Sequence, residues 1–461
     1  MNAKIYVRNV KHTMKGLLTW SLKRAIGPYR KQSRWLRQVQ WYSAQELQQL
    51  QLKYLKDLVK HVYETVPYYR QLMTREGFTP ADIHALEDIQ RFPILTKQDI
   101  LSAGASLHSR KYPKLLTKTG YSGGTTGVRV ALLRDLWSIG NEHAFVRRQF
   151  DWAGLTTQDV CAYLSWRIVC PPGQQQDYPY WYDAAMKELV LSTFHLSNST
   201  IPTYLELLVK YKVMAMVGYP SAIASIARYC LRDSIKIPMK AVLTTSENLD
   251  AFQRKQISEA FVCPVYDFYG GSERVCYIHT CSEGSYHILS EYGITELIEI
   301  PEQPGIRKIV ATGFWNRAMP LIRYDTGDLV IPGPRMCSCG RAYPCVEKII
   351  GRQSQIIKTP SGREFGATVV ECIMEFILHD LASFPIFEAQ MILYEGFHLV
   401  LEYVSERSLN AGEEEKINSL VKFHIPEDFS IELRRVSSIQ KTASGKALSL
   451  VFNPSTQKTT I

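Results

Sequence analysis

The chain has 461 residues, of which 46% are hydrophobic and 21% are charged, a composition that can fill large cores and excludes a disordered chain. Its net charge of +10 belongs to the N-terminus: the first 37 residues hold ten basic side chains and no acid, and the other 424 hold 44 of each sign. A neutral body argues against a specific nucleic-acid-binding protein, whose basic residues would line one folded face. The basic segment needs a separate explanation.

Residues 1–37 predict a basic amphipathic helix that forms an N-terminal arm. On a helical wheel the apolar and basic side chains occupy separate faces, Val7, Val10, Met14, Leu17, Leu18 and Ala25 against Lys4, Arg8, Lys11, Lys15 and Lys23. This pattern is typical of a helix on anionic lipid, of a docking arm for an acidic carrier, or of an ordinary amphipathic helix packed on the protein body. Peripheral contact with the inner face of a membrane would involve residues 1–34.

The segment after the arm predicts helices and then alternating elements. Ser43-Ala-Gln-Glu46 fits a capping box, from which a helix continues to Val66-Pro67, and Pro80–Ile89 predicts a short helix. From 110 to 330 we predict strands and helices in alternation, namely Val160–Leu164, Tyr204–Tyr211, Val213–Val217, Ser221–Leu231, Ala241–Thr244 and Val262–Phe268. Such alternation favours an α/β domain with a substantially parallel sheet.

The rest of the chain predicts a strand-rich segment and then a small α+β domain. The strands predicted between 284 and 331 are Tyr286–Leu289, Thr295–Ile300, Lys308–Thr312 and Leu321–Arg323. Beyond Gly351-Arg352 the predicted helices are Val369–His379 and Ala411–Phe423, and the predicted strands are Phe397–Val404 and Ser430–Arg434. These elements suffice for a small domain.

No secretory or membrane-spanning segment is predicted. The apolar stretch Gly16–Trp20 is too short for a cleavable signal. The longest uncharged interior run, Val213–Ala227, has 15 residues and contains Pro220, so it is too short to cross a bilayer. The ten cysteines are spread along the chain apart from one cluster, and we expect a cytoplasmic, thiol-reducing location.

The motif Tyr121-Ser-Gly-Gly-Thr-Thr-Gly127 is the first candidate for chemistry. Backbone N–H groups and threonine hydroxyls of such a run can converge on phosphate oxygens, and glycine permits their close approach. No Gly-Lys-Ser/Thr follows, so the motif is not a Walker P-loop. Taken alone, it also fits a plain loop.

The motif Tyr266-Asp-Phe-Tyr-Gly-Gly-Ser-Glu273 is the second candidate. It brings an aromatic ring, two glycines and a carboxylate to the end of a β-like run, where ligand sites of open α/β sheets lie. A ring beside a base and a Mg²⁺-binding glutamate would fit there. The alternative is a strand that leads into a turn with a solvated glutamate.

Two further motifs lie in the second half of the chain. In Arg323-Tyr-Asp-Thr-Gly-Asp328, an aspartate beyond a Thr-Gly turn could accept hydrogen bonds from two ribose hydroxyls, or could simply form a turn. Lys441-Thr-Ala-Ser-Gly-Lys446 presents a lysine on a polar loop, which by itself is also typical of a solvent-exposed lysine.

Together and in this order, the four motifs resemble those of the adenylate-forming (acyl-AMP) superfamily, and more narrowly the phenylacetate–CoA ligase branch and its CapK-like relatives in capsular polysaccharide biosynthesis. The resemblance extends from about Trp35 to Leu450. Other stretches that carry it are His61–Arg70, Phe92–Lys97, Gly218–Ser221, Thr244–Glu247, Ala318–Asp328 and Cys337–Arg341.

The resemblance implies an α/β fold in three parts. Residues 1–37 would be the arm. Residues 38–352 would form a large adenylate-forming (AMP-binding) domain with mostly parallel sheets and a strand-rich segment. Residues 353–461 would form a small, mobile α+β domain that carries the catalytic lysine.

It also implies an ATP-dependent carboxylate ligase that forms an acyl-adenylate and releases pyrophosphate. Lys446 would bridge the substrate carboxylate and the α-phosphate, and Glu273 would bind Mg²⁺, because the attacking carboxylate and the triphosphate repel each other. The β and γ phosphates would lie on Ser122, Gly124, Thr125, Thr126 and Gly127. The nucleotide would contact Ser246, Glu247, Tyr269 (beside adenine), Gly270, Asp328 (on the ribose) and Arg352.

The substrate and the acyl acceptor are less defined. By resemblance, a small carboxylic acid, aryl or of medium length, would bind near Tyr219, Thr244, Ser246 and Tyr269, with Trp166 and His195 as further candidates. The acceptor would be CoA, the phosphopantetheine of a carrier protein, or an amine or hydroxyl of a cell-surface sugar precursor. The alternative function is a catalytically silent scaffold for polysaccharide or lipid assembly at the membrane.

A cysteine-rich group predicts a structural zinc site, which relatives in this branch can carry. Three or four Cys and His ligands suit tetrahedral Zn²⁺. The preferred set is Cys281, His287, Cys337 and Cys339, with Cys276, His279 and Cys345 as substitutes. The spacing is not that of a common zinc finger, so reduced thiols are the alternative.

The chain departs from the family pattern at three places. Gly123 stands where serine is usual, Arg129 stands where proline is usual, and Gln353-Ser-Gln355 replaces an acidic or lysine hinge. The last difference bears on the turning of the small domain between adenylation and acyl transfer. Glu273, Asp328 and Lys446 all remain, which favours a working adenylation site.

Overall fold

The structure is a computed structural model, and it describes residues 3–20, 28–121, 130–165, 167, 169, 179–301, 303–334, 336–352, 356–358, 364–366, 370, 373, 377, 386–424, 429–442, 447–448 and 450–453. The chain divides into two compact units. The first unit comprises residues 1–16, 157–265 and 354–461, and the second comprises residues 17–156 and 266–353.

The elements follow one another in chain order as helices and strands. The helices are α1 (Ala3–Trp20), α2 (Pro28–Val39), α3 (Ala44–Thr65), α4 (Pro67–Arg75), α5 (Lys97–Ala103), α6 (Leu136–Trp152), α7 (Ile201–Lys210), α8 (Pro220–Arg232), α9 (Ala251–Phe261) and α10 (Ala411–His424). The strands are β1 (Thr117–Tyr121), β2 (Ala131–Asp135), β3 (Val160–Leu164), β4 (Tyr180–Asp183), β5 (Glu188–Leu191), β6 (Val213–Gly218), β7 (Ala241–Thr245), β8 (Val265–Gly270), β9 (Tyr277–Thr280), β10 (Tyr286–Ile288), β11 (Gly293–Glu299), β12 (Arg307–Gly313), β13 (Tyr324–Pro332), β14 (Cys345–Arg352), β15 (Ile356–Lys358), β16 (Glu364–Gly366), β17 (Ile386–Tyr394), β18 (His398–Ser405), β19 (Ser430–Arg435) and β20 (Leu450–Phe452).

The first unit contains the mostly parallel sheet that the alternating pattern predicts. Its strands lie in the order β7-β6-β3-β5-β4, and all neighbours are parallel except β4, which runs antiparallel to β5 along the edge. Apolar side chains of α7, α8 and α9 pack with those of the strands in one buried cluster. The strand predicted from Val262 begins only at Val265, because Val262 ends α9 in the left-handed conformation (φ 49°).

The second unit contains an antiparallel sheet in the order β11-β12-β13-β14-β10-β9-β8. The strands predicted within 286–312 are confirmed to within two residues. The strand predicted at Leu321–Arg323 is wrong, since Arg323 has a φ of 52° and β13 starts at Tyr324. Side chains from α3, α4 and the 3₁₀ turns that follow them pack against this sheet in a second buried cluster.

Local hydrogen bonds decide how the N-terminal helices of the second unit begin. The capping box of α3 is confirmed: the Ser43 hydroxyl accepts from the Glu46 N–H at 3.2 Å, and the Glu46 carboxylate accepts from the Ser43 N–H at 2.7 Å. The helix predicted over Pro80–Ile89 is instead two 3₁₀ turns, because the carboxylates of Asp82 and Asp88 each close a separate turn.

The C-terminal part of the first unit has its own sheet and its own core. Strands β17 to β20 form a sheet in the order β19-β18-β17-β20, and α10 buries Ile417 and Val421 in its cluster. It contacts α8 of the same unit, where Arg228 donates to the Phe387 carbonyl at 2.8 Å. The helix predicted at Val369–His379 lies largely outside the described residues.

Among the residues that the structure describes, no helix has both the length and the apolar character needed to cross a membrane.

Candidate functional site

The predicted site residues fall into both units. Of the residues predicted to bind the nucleotide, the magnesium ion or the acid, the structure describes Tyr219, Thr244, Ser246 and Glu247 in the first unit. It describes Tyr269, Gly270, Glu273, Asp328 and Arg352 in the second unit. Several predicted residues lie outside the described part of the chain, namely Ser122, Gly124, Thr125, Thr126 and Gly127 of the glycine-rich loop, Trp166, and Lys446.

In the second unit, a partly buried hydrogen bond joins the second and third sequence motifs. The Tyr269 hydroxyl at the end of β8 donates to the Asp328 carboxylate on β13 at 2.7 Å. Burial, and then the charge of Asp328, raises the pKa of Tyr269, so the phenol remains a donor. The backbone of Arg352 pairs with that of Asp328 across β13 and β14. The structure therefore brings a carboxylate, an aromatic ring and the backbone of Arg352 together.

Glu273 lies in the turn that follows β8. Its carboxylate lies so close to Gly271 that a Cβ there would be 2.6 Å from the Glu273 Oε2 atom. The turn is held by Arg134 on β2, which donates to the Ser272 carbonyl at 2.5 Å. No sequence signal connects Arg134 with this motif, because Arg134 and Ser272 are 138 positions apart.

In the first unit, the turn between β6 and α8 requires glycine. A Cβ on Gly218 would lie 2.0 Å from the Leu164 carbonyl oxygen, and the same oxygen accepts from the Tyr219 N–H at 2.9 Å. Gly218 also pairs with Thr244 in neighbouring parallel strands. The structure thus places Tyr219 and Thr244 at the carboxyl ends of adjacent strands, where α/β folds bind ligands, and both residues are buried.

Glu247 satisfies a free backbone donor of α8. Its Oε2 atom accepts from the Ser221 N–H at 3.1 Å, and the neighbouring Ser246 has a φ of 71°. His195 lies in the same unit and hydrogen bonds through Nδ1 to the Ser192 hydroxyl at 2.9 Å. Lys441, which begins the predicted lysine loop, donates to the Thr193 carbonyl at 2.6 Å.

The preferred metal-ligand set is brought together in the second unit. The sulfur and imidazole donors of Cys281, His287, Cys337 and Cys339 all lie within 4.8 Å of one another. The two thiols of Cys281 and Cys337 are 3.6 Å apart, and Cys339 lies 3.4 Å from the Nε2 atom of His287. Three sulfurs and one imidazole nitrogen in this arrangement could hold a metal ion with tetrahedral preference.

The three substitute ligands do not join this group. Cys345 lies 3.5 Å from Nδ1 of His287, on the opposite side of the ring from the cluster. Cys276 accepts a hydrogen bond from Thr295 at 3.3 Å, and His279 packs on the Trp152 ring with centroids 4.2 Å apart.

The protonation state of His287 suits metal binding. Burial, and then the charge of Arg341, lowers the pKa of His287 to about 4, so the imidazole is neutral at neutral pH and has a free lone pair. Burial raises the pKa of Cys281 to about 12 and that of Cys345 to about 11. A buried thiol of this kind loses its proton when a cation binds it.

A buried ion pair that carries no sequence motif supports the cluster. Arg148 on α6 donates to the Glu291 carboxylate, which also accepts from the Tyr343 hydroxyl at 2.9 Å. Arg148 is 2% exposed and Glu291 is not exposed at all. The carbonyl of Tyr343 accepts from the Cys345 thiol at 3.6 Å. This network therefore links α6 to the strand that follows the cysteine pair.

Comparisons with known proteins place these features in a wider group. No family model matches the chain. CapK of Staphylococcus aureus is 22% identical over 408 residues, which cover 87% of this chain and 88% of CapK. Phenylacetate–coenzyme A ligase of Thermus thermophilus is 24% identical over 344 residues, which cover 68% of this chain and 72% of that protein.

Among solved structures, 2-hydroxyisobutyryl-CoA ligase in its postadenylation state has a TM-score of 0.67 at 18% identity, covering 90% of this chain and 91% of the ligase. The same ligase with 2-HIB-AMP and CoA in the thioesterification state has a TM-score of 0.54.

These findings confirm the resemblance drawn from the motifs. The fold is that of the 2-hydroxyisobutyryl-CoA ligase structures. In sequence, the chain is similar to CapK and to phenylacetate–CoA ligases.

We expect Glu291→Ala to destabilise the protein by about 3–5 kcal/mol, because it leaves the Arg148 charge buried without its partner. The measurement is the shift in the denaturant midpoint. As a matched control, Glu299→Ala removes an ion pair to Arg307 from a side chain that is 77% exposed, and should cost less than about 1 kcal/mol. Equal losses of stability in the two variants would contradict the conclusion that Glu291 and Arg148 form a buried ion pair.

Proposed function

We propose that the chain is an ATP-dependent, AMP-forming acid–thiol ligase. It activates a small carboxylic acid as an acyl-adenylate with release of pyrophosphate, and it then transfers the acyl group to CoA. The observation that carries the proposal is the partly buried hydrogen bond between Tyr269 and Asp328, in the unit that also contains the Glu273 turn. Similarity to phenylacetate–CoA ligases supports the same activity.

The second unit supplies the groups for the nucleoside and the metal in this proposal. Asp328 accepts hydrogen bonds from the ribose hydroxyls, and the Tyr269 phenol holds its carboxylate in place. The Tyr269 ring lies beside adenine, with Gly270 and Arg352 near the nucleotide. Glu273 offers the hard oxygen ligand that Mg²⁺ prefers, and the ion offsets phosphate charge when it is bound.

The first unit supplies the groups for the acid in this proposal. Tyr219 and Thr244, which are buried at the ends of β6 and β7, line the binding site for the acid. Ser246 and Glu247 follow β7 and contact the nucleotide. The glycine-rich loop from Ser122 to Gly127 holds the β and γ phosphates, and Lys446 neutralises charge between the carboxylate and the α-phosphate. These last roles rest on the motifs alone.

Two other acceptors remain as alternatives to CoA. Similarity to CapK over most of the chain favours an amine or hydroxyl of a polysaccharide precursor as the second candidate. A carrier-protein phosphopantetheine is chemically equivalent to CoA as a thiol. The remaining alternative is a silent scaffold that keeps the fold without the reaction. We propose a cytoplasmic setting, since ten cysteines that are mostly far apart in the chain fit a thiol-reducing compartment.

Pyrophosphate exchange into ATP, measured with a panel of carboxylic acids, tests the first half-reaction. We expect acid-dependent exchange that falls at least 100-fold in Lys446→Ala, because the charge between carboxylate and α-phosphate is then uncompensated. The matched control is Lys416→Ala, which removes an exposed lysine of α10 and should leave the rate unchanged. No exchange with any acid would favour the scaffold. Product analysis with CoA and with sugar precursors then separates the acceptors.

Two tyrosine–aspartate pairs allow a sharper test of the nucleotide site. Tyr269→Phe should raise the KM for ATP about tenfold, because the Asp328 carboxylate loses the hydrogen bond that orients it. The loss of that hydrogen bond should lower the free energy of unfolding by about 1 kcal/mol. Tyr286 donates to Asp267 over the same 2.7 Å, so Tyr286→Phe is a matched control that should cost similar stability and leave the KM unchanged. Equal effects on the KM would contradict the assignment.

We also propose that the four-residue cluster holds a structural Zn²⁺. The donor set of Cys281, His287, Cys337 and Cys339, with a neutral imidazole and three thiols, fits the ligand preference of zinc. When bound, the ion ties the hairpin of β9 and β10 to the loop before β14. It takes no part in the reaction, because ATP activates the carboxylate.

Metal analysis of the purified protein tests the zinc proposal. We expect about one zinc per chain, lost in Cys337→Ser and retained in Cys345→Ser, since Cys345 contacts the far side of the His287 ring. A chelator should lower the unfolding midpoint of the wild type and of Cys345→Ser, but not that of Cys337→Ser. Zinc loss in Cys345→Ser with retention in Cys337→Ser would contradict this ligand set.

A further inference from the structure

Helix α1 binds the first unit through its polar face. Asn9 Oδ1 accepts from the backbone N–H of Tyr182 at 2.9 Å, and the Thr13 hydroxyl accepts from that of Ala184 at 3.1 Å. These N–H groups belong to β4 and the residue after its end, and β4 is the edge strand of the sheet. Asn9 and Thr13 are one helical turn apart, so the helix supplies the hydrogen-bond acceptors that a further strand next to β4 would otherwise supply.

A ring stack and a close contact with β4 hold α1 in the same orientation. The His12 ring stacks on the Trp181 ring, with centroids 4.0 Å apart and planes 4° from parallel. Gly16 lies against Asp183, where a Cβ would be 2.1 Å from the carboxylate oxygen. Arg8 donates to the Tyr180 carbonyl. The docked face therefore contains Arg8, Asn9, His12, Thr13 and Gly16.

The apolar side chains of α1 point away from this contact. We call them the apolar strip: Tyr6 (57% exposed), Val7 (66%), Val10 (40%), Met14 (67%), Leu17 (54%) and Leu18 (64%). They recur at helical spacing and cover about 120° of the helix surface. A surface helix normally buries this face against the protein, so the orientation of α1 is reversed. This excludes the ordinary packed amphipathic helix as the explanation of the pattern.

Charge indicates what covers the strip. Lys11 and Lys15 are exposed and lie one turn apart along its border. Ten basic side chains and no acid occur before residue 38. A second copy of the same helix would bring like charges together, whereas an anionic surface complements them. The helix is 18 residues, or about 27 Å, long, and its strip is convex, which suits a flat interface better than a groove.

We propose that α1 docks the protein on the surface of an anionic lipid bilayer, with the apolar strip in the acyl–headgroup boundary and Lys11 and Lys15 at the phosphates. The contacts with β4 hold the strip outward before any lipid is met, so binding requires no folding step. The occupant is recognised by negative charge and by an apolar layer, and the proposal is independent of the reaction that the site performs.

Flotation of the full-length protein with vesicles tests this proposal. Vesicles of phosphatidylcholine with 30% phosphatidylglycerol should bind the wild type at least tenfold more strongly than vesicles of phosphatidylcholine alone, and binding should weaken with salt. Val10→Glu/Met14→Glu should lose this binding. The matched control is Leu115→Glu/Val209→Glu, which places the same charges at apolar positions 91% and 66% exposed elsewhere and should bind as the wild type does.

A second pair of variants separates charge from apolar burial. Lys11→Gln/Lys15→Gln should reduce binding to the anionic vesicles about tenfold or more and flatten its salt dependence. Circular dichroism melting confirms that each variant is folded, so a loss of binding is not a loss of structure. The proposal is overturned if the wild type does not bind anionic vesicles, if the control pair loses binding equally, or if sedimentation shows that the strip instead pairs two copies or captures an acidic protein.

Discussion

The second unit depends on one buried carboxylate. Glu291 lies where water does not reach, and its charge is compensated by Arg148 of α6 and by the Tyr343 hydroxyl. Because an unpaired charge in such a place is costly, the pair determines how α6 lies against the antiparallel sheet. That sheet carries both the Tyr269–Asp328 pair and the Cys/His cluster. The candidate nucleotide residues and the candidate metal ligands of this unit thus share one electrostatic support.

In the second unit, two aspartate carboxylates each accept a hydrogen bond from a tyrosine hydroxyl. Asp328 accepts from Tyr269, and Asp267 accepts from Tyr286, each at 2.7 Å. A phenol whose pKa burial has raised remains a donor, so it compensates a carboxylate without adding a second charge. The consequence is a pair of carboxylates that are held in fixed positions by neutral donors.

The sequence allowed the fold class and the ligand cluster to be predicted, because each is encoded by residue type at local spacing. The parallel strands appear as short apolar runs, and the four preferred metal ligands are the ones that converge. Long-range pairs could not be found in this way: Arg148 and Glu291 are 143 positions apart and belong to no motif. The strands predicted from Val262 and over Leu321–Arg323 were misplaced, because Val262 and Arg323 have left-handed backbone that interrupts an extended strand. The direction of the α1 apolar strip depends on the open edge of β4, which periodicity does not reveal.

The contact between α1 and β4 also has a meaning for solubility. An open edge strand offers its backbone donors to any other strand, and proteins that leave such an edge uncovered tend to associate through it. By accepting from Tyr182 and Ala184, the side chains of Asn9 and Thr13 close that edge without extending the sheet. The helix therefore protects the edge of β4 from pairing with a strand of another molecule. Because its inward positions must contact that edge, they are restricted to small or polar residues. Only the outward positions were left free to acquire an apolar surface.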